Sequence, residues 1–283
     1  MGSSHSPEKP YNPVEELESM VSEWLGSLSK LEGSRSVSMD DAIAAFEGLF
    51  ARRPRMPLHN NVLLLFTRKS KQAGGSPVEA LRSVESTIRG YMGLVYSGIE
   101  RVCEESVSTD VVIVSRDLLT LACARGILRR GERVYAALHA LAGPDVLEEG
   151  GRTLYFHASF LYHVVRLFDA SILVPAYSVS KMEAAAPPLS LEATVIAGDL
   201  GRRVVLVAPR LSIDPFFGPL SSIHAPRVVI EEEIGYSYTL PAFEVIKLSS
   251  TDLLLTEKGP VEASFEGLLE VQGKVINELL QGV

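Results

Sequence analysis

Val111-Val112-Ile113-Val114-Ser115-Arg116-Asp117-Leu118 marks the point where the chain changes period. Four β-branched residues read as a strand, a short polar break follows, and Leu118 to Arg130 continues as a helical stretch. The alternation then repeats. β-Branched runs stand at Arg133 to Leu138, Thr153 to Phe156, Ser171 to Val174, Val204 to Val207 and Arg227 to Ile230, with helical stretches at Phe160 to Phe168 and Ser190 to Leu200. Strands separated by helices imply right-handed crossovers, and so an α/β fold: a Rossmann-like, mostly parallel sheet with helices on both faces. Ser264 to Leu280 reads as an amphipathic helix that packs back on this body.

Upstream, the spacing is helical. Leu17, Met20, Val21, Trp24, Leu25 and Leu28 recur at steps of three and four on one face, which predicts an N-terminal helical bundle. Asp40 or Asp41 is expected to cap a helix through Leu49. Ser76-Pro77 opens a helix through Ile88 that runs on toward Ile99. Gly33-Ser34, Arg53-Pro54 and Gly74-Gly75 supply the breaks. The expected organisation is a loose tail over residues 1–13, a helical domain over 14–105 and the Rossmann-like domain over 106–283.

At 283 residues and 46% hydrophobic content, the chain has apolar surface for one large core or two unequal domains. No stretch has the roughly 18 to 20 apolar residues of a membrane span, and the N-terminus has no apolar signal region, so the expected location is the cytoplasm. A net charge of −8 leaves no general basic field, which argues against nucleic acid as a partner. The one concentrated basic region, Arg52-Arg53-Pro54-Arg55 followed by Arg68-Lys69-Ser70-Lys71, reads as a solvated helix end or loop. Cys103 and Cys123, with no Cys-x-x-Cys spacing, are expected to be buried free thiols. Only seven residues are Asn or Gln, a low amide content that fits a thermophile.

A parallel sheet holds its ligands outside the carboxyl ends of its strands. Here those positions offer Arg116, Asp117, His157 and Tyr177. Arg116, Arg152, Tyr177 and the amides opening the helix at Ser190 form a candidate site for a small anion. His157 and His163 lie six residues apart with no carboxylate suitably spaced, so no metal site is expected. No dinucleotide or P-loop glycine pattern occurs, and no cofactor is expected. Glu231-Glu232-Glu233 reads as a solvated loop. Phe216-Phe217-Gly218-Pro219 and Tyr236-Ser237-Tyr238 are candidates for a dimer contact.

Pro241-Ala242-Phe243-Glu244-Val245, then Leu253-Leu254-Leu255-Thr256-Glu257-Lys258-Gly259, preceded by Val229-Ile230-Glu231-Glu232-Glu233, resembles the family of translation initiation factor 2B alpha, beta and delta subunits. That family also contains methylthioribose-1-phosphate isomerase and ribose-1,5-bisphosphate isomerase. The resemblance spans residues 106–260 and, more faintly, the helical region. It implies a helical domain joined to a Rossmann-like domain that dimerises. It also places Arg116 at the isomerases' catalytic Cys position, Tyr177 at their catalytic Asp, Ala186-Pro187-Pro188-Leu189-Ser190 at their Asn-Lys-x-Gly-Thr segment, and Ser212 at a further lysine. An arginine neither attacks as a thiolate nor exchanges a proton at working pH. The implied function is therefore binding, as a non-catalytic initiation-factor-2B-like regulatory subunit, with no catalytic residues. Its expected partners are a second copy, related subunits or an initiation factor, with a sugar phosphate or nucleotide as ligand. The alternative is an aldose–ketose isomerase with altered residues.

Overall fold

The computed structural model describes residues 12–51, 53–73, 76–138, 151–225, 227–231 and 237–282. Four helices come first: α1 (Leu17–Glu32), α2 (Met39–Gly48), α3 (Pro57–Ala73) and α4 (Pro77–Ser106). Asn12 and Pro13 are buried, and Asn12 Oδ1 accepts the Val14 N–H at 3.0 Å, so the expected tail stops short of them. Helix α2 is capped by Ser38, with Asp41 closing a capping box, where Asp40 or Asp41 had been the expected cap. Ser76 caps α4, which runs past Ile99 to Ser106. Trp24, Phe46 and Phe66 form the aromatic centre of this bundle.

The remaining chain follows as β1 (Val111–Ile113), α5 (Leu118–Arg130), β2 (Val134–Leu138), β3 (Thr153–His157), α6 (Leu161–Phe168), β4 (Ser171–Pro175), β5 (Ser178–Val179), β6 (Glu183–Ala186), α7 (Ser190–Leu200), β7 (Val204–Val207), β8 (Arg227–Glu231), β9 (Ser237–Pro241), β10 (Glu244–Lys247), β11 (Leu253–Thr256), β12 (Gly259–Val261) and α8 (Phe265–Gln281). Seven strands form one sheet in the order β12-β11-β7-β4-β1-β2-β3, parallel except for β12. Val111, Ile113, Leu173, Val205 and Leu255 face a core shared with α4 and α5. Val112, Val114, Ile172, Val174 and Leu206 face the opposite side, with α6 and α7. Both faces are covered, which is why the strands read as continuous apolar runs.

Two expectations fail. Arg227–Glu231 is not a strand of the parallel sheet; it pairs antiparallel with β9 in a separate two-stranded sheet. A parallel return needs a crossover of a dozen or more residues, and the connection to β9 is far shorter. Cys103 and Cys123 are not free thiols. They form a disulfide with Cα atoms 5.2 Å apart. Spacing along the chain said nothing of this, because α4 and α5 run alongside one another at backbone contact. A Cβ added to Gly126 would collide with the Glu100 carbonyl oxygen.

His59, in the first turn of α3, is 3% exposed and accepts the Met56 N–H at Nδ1 (3.0 Å). Burial, with the charges of Arg55 and Arg53 adding to it, pushes its pKa down to about 3. An unfolded histidine titrates near 6.5. Above that pH neither state binds the proton. Below it only the unfolded chain does, so stability falls as pH drops, by about 1.4 kcal/mol per unit, until the folded pKa is approached. Urea unfolding at pH 6 and pH 5 will register that loss, and His59→Asn, which keeps the acceptor, will remove it.

Candidate functional site

The strand order reverses between β1 and β4, and the crevice outside their carboxyl ends is where a doubly wound sheet binds ligands. Arg116 and Asp117 leave β1 there, and Tyr177 leaves β4. Asp117 is spent on structure. Its Oδ1 accepts the Thr120 N–H at 2.9 Å, capping α5, and its Oδ2 accepts from Ser115 Oγ at 2.7 Å. Glu15, from the chain before α1, also accepts the Leu118 N–H at 3.1 Å. Two carboxylates thus meet the amides that open α5, where an anionic ligand would otherwise gain most. Burial raises the Asp117 pKa, opposed by its bonds from Thr120 and Ser115.

Tyr177 is 3% exposed. Burial lifts its phenol well above the ordinary value, and the charges of Asp117 and Glu15 push it further, against a hydrogen bond with Ser115. A phenol in that setting stays protonated and is no general base. Its ring packs with Met56, Ala185, Leu220 and Phe243, and Phe217 and Val245 close around them. This apolar cluster joins the bundle to the segments that follow β4, β7 and β9, beside the carboxyl end of β4.

The start of α7 is also occupied from within. The Leu191 N–H donates to Glu244 Oε2 at 2.8 Å. Leu189 holds φ 72°, and Ser190 is fully buried, its hydroxyl without a hydrogen-bond partner among the described residues. Ser212 is buried and donates to the Pro209 carbonyl at 2.7 Å.

His157 lies elsewhere. It ends β3, three strands and about 14 Å from β4 across the sheet. It is exposed and bonds Ser159. Arg152 precedes β3, at the amino end of the sheet, so the expected grouping of Arg152 with Arg116, Tyr177 and Ser190 is not formed. Among the described residues no three His, Cys, Asp or Glu side chains are grouped to hold a metal ion, and no helix is long and apolar enough to cross a membrane. Of the aromatic segments, Phe216 is 68% exposed while Phe217 packs inward; Tyr236 and the Glu232-Glu233 pair lie outside the described residues.

Three carboxylates with structural hydrogen bonds at helix starts or strand ends escaped the strand-end reading. Glu15 lies in a helical stretch far from the crevice in sequence, and Glu244 and Glu257 lie in the quoted motifs without a visible role. Glu257 is the anchor of the Thr256-Glu257-Lys258-Gly259 segment. It accepts from Arg210 Nε (2.8 Å), the Arg210 N–H (3.0 Å) and the Tyr91 hydroxyl (2.9 Å). Arg210 turns its other nitrogens to Glu278 on α8 (3.0 and 2.7 Å).

No protein-family model matches the sequence, and no curated protein is detectably similar to it in sequence. Solved structures share its fold. Translation initiation factor eIF-2B from Pyrococcus horikoshii OT3 superposes with a TM-score of 0.71 at 13% identity, over 89% of this chain and 92% of that one. A chain of the tetrameric eIF2B-beta2-delta2 complex from C. thermophilum gives 0.63 at 14%, over 93% and 88%. 5-Methylthioribose 1-phosphate isomerase from P. horikoshii OT3 gives 0.59 at 15%, over 94% and 88%. These likenesses establish the fold; function has to be argued from the site.

Proposed function

We propose that this chain is a non-catalytic, initiation-factor-2B-like subunit that works by binding, in a homodimer or a larger assembly of related chains. The observation that carries the reading is Tyr177, a buried neutral phenol inside an apolar cluster at the position where the resemblance puts a catalytic carboxylate. Arg116 in place of a thiol and the internal carboxylates on α5 and α7 point the same way. The test is turnover by NMR with ribose-1,5-bisphosphate and methylthioribose-1-phosphate at elevated temperature. No product is expected, and product would overturn the reading in favour of an isomerase with altered residues. Ligand line broadening without product would add a metabolite-sensing role to the binding subunit.

A surface for a second copy is proposed at the β3 edge. Leu154 (46% exposed), Phe160 (56%), Tyr162 (41%) and Leu167 (74%) follow one another along β3, the turn after it and α6. An apolar sheet edge of this kind needs covering. Leu167→Glu is expected to shift the protein toward monomer in light scattering without changing its circular dichroism. A native protein that is monomeric at all concentrations would refute the contact. Low amide content and a buried disulfide support a thermophilic origin, since hyperthermophile intracellular proteins are an exception to the rarity of cytosolic disulfides.

A further inference from the structure

A cavity of about 390 Å³ lies between α4, the turn from β11 to β12 and α8. Its anchor is Gly98, where α4 touches the turn: a Cβ there would collide with the backbone and side chain of Glu257. Lys258 follows Glu257 directly, and Arg101 lies three residues on from Gly98, about 4.5 Å along the helix. One backbone contact therefore sets two cations beside each other, and both line the cavity. Arg101 forms no hydrogen bond or ion pair among the described residues, whereas the other arginines of α4, Arg82 and Arg89, each pair with a carboxylate. Glu104 and Glu105 stand at steps of three and four from Arg101 on the helix, and it pairs with neither. The Lys258 ammonium forms no ion pair among the described residues either. Its charge acts on Glu278 from beyond contact distance, and Glu262 and Glu266, which share a second depression with it, do not pair with it.

The two carboxylates on the cavity, Glu257 and Glu278, are already committed. Glu257 accepts from Arg210 and from the Tyr91 hydroxyl, and Glu278 takes the two terminal nitrogens of Arg210. Arg210, 7% exposed at its side chain, thus has each of its guanidinium nitrogens bonded. Three cations and two carboxylates leave one positive charge in excess, and it is carried by Arg101 and Lys258, both exposed. Like charges held side by side repel, and an anion between them removes that cost. Tyr91 and Leu279, both buried, make apolar walls, and Leu94, 61% exposed, adds a third apolar side chain.

We infer that this cavity is a binding site for a small organic monocarboxylate with a compact apolar body. The Arg101 fork takes the carboxylate through two parallel N–H···O bonds, and the Lys258 ammonium takes one of the same oxygens. The apolar body lies against Tyr91, Leu94 and Leu279, where its burial adds to the affinity. A single negative charge matches the single positive excess. A phosphate ester brings a second negative charge toward Glu257 and Glu278, and no further cation lines the cavity to offset it. An amino acid gains nothing from its ammonium group, since both carboxylates are taken by Arg210. The site does not depend on how the crevice between β1 and β4 is read.

The test is saturation-transfer NMR on the full chain at pH 8 with 4-methylvalerate, with 4-methylvaleramide as an uncharged form of the same body, and with isobutyl phosphate as a dianion. The carboxylate is expected to bind, the amide not to bind, and the phosphate to bind more weakly than the carboxylate. Arg101 and Lys258 are exposed, so their substitution leaves the fold intact. Arg101→Gln is expected to weaken 4-methylvalerate binding by about 10-fold or more, as for loss of a charged hydrogen-bond partner. Lys258→Gln is expected to weaken it by about threefold, as for an exposed ion pair. Lys247→Gln removes the same charge from an exposed lysine of β10 outside the cavity and is expected to change nothing. No transfer to 4-methylvalerate at millimolar concentration, equal binding of the amide or of the phosphate, affinity unchanged in Arg101→Gln, or an equal loss in Lys247→Gln would each overturn the site.

Discussion

Replacing Arg210 by Met will destabilise the protein by about 3–5 kcal/mol, the usual cost of removing one partner from a buried ion pair. Arg210 and Glu257 are 7% and 5% exposed at their side chains, and they join at 2.8 Å. Without the guanidinium, Glu257 keeps only the Tyr91 hydroxyl and the backbone N–H of residue 210 for a charge buried between α4 and the β11–β12 turn. Glu278, on the α8 side, loses less, because it is 36% exposed and solvent screens it. Urea unfolding of the variant provides the measurement. Adding Glu257→Gln should recover a large part of the loss, since the uncompensated charge is then gone. If the double variant is as unstable as Arg210→Met, the cost lies in lost packing instead.

The same cluster has a pH signature of definite sign. Hydrogen bonds and charge from Arg210 lower the Glu278 pKa below the ordinary carboxylate value. A depressed carboxylate stabilises the folded state above its unfolded pKa. That contribution is lost as pH falls through the folded pKa. Glu278 contributes to acid sensitivity in that low range, whereas the loss beginning near pH 6.5 belongs to His59.

Cys103→Ala together with Cys123→Ala will cost about 3 kcal/mol, the loop-closure value for a bond spanning roughly twenty residues. Alanine avoids the unpaired buried hydroxyl that serine would bring. The native protein should show no thiol titrating with Ellman's reagent in denaturant until reductant is added. Two titratable thiols under those conditions would refute the bond. An unchanged midpoint in the double alanine variant would show that α4 and α5 need no cross-link beyond their own packing. That packing is already tight, because Gly126 lets the Glu100 backbone approach where any side chain would collide.

Much of the architecture was legible in the sequence because burial on both sheet faces writes an unbroken β-branched run. Val111–Ile113, Ser171–Pro175 and Val204–Val207 are such strands, and α5 and α7 occupy the stretches expected of them. The run at Arg227 carries the same composition but pairs locally, since composition records burial and not partner. The candidate site was legible only by substitution: Arg116 and Tyr177 stand where the resembled isomerases need a thiol and a carboxylate. Its other half came from afar. Glu15 reaches α5 across more than a hundred residues, and Glu244 reaches α7 across 53. His157 and Arg152, at the two ends of β3, show that a position beside a strand places a side chain at an end of the sheet without saying how close it is to the crevice.

The sequence by itself determined the main helices, the order of the parallel strands β1, β2, β3, β4 and β7, and the chemistry missing from the strand ends, because hydrophobic period and side-chain type are local properties. Tertiary structure alone decided that Cys103 meets Cys123, that Tyr177 is walled in by Met56 and Phe243, and that Arg210 ties Glu257 to Glu278. Those outcomes depend on how helices and loops distant in the chain pack together, and no short-range pattern records that distance.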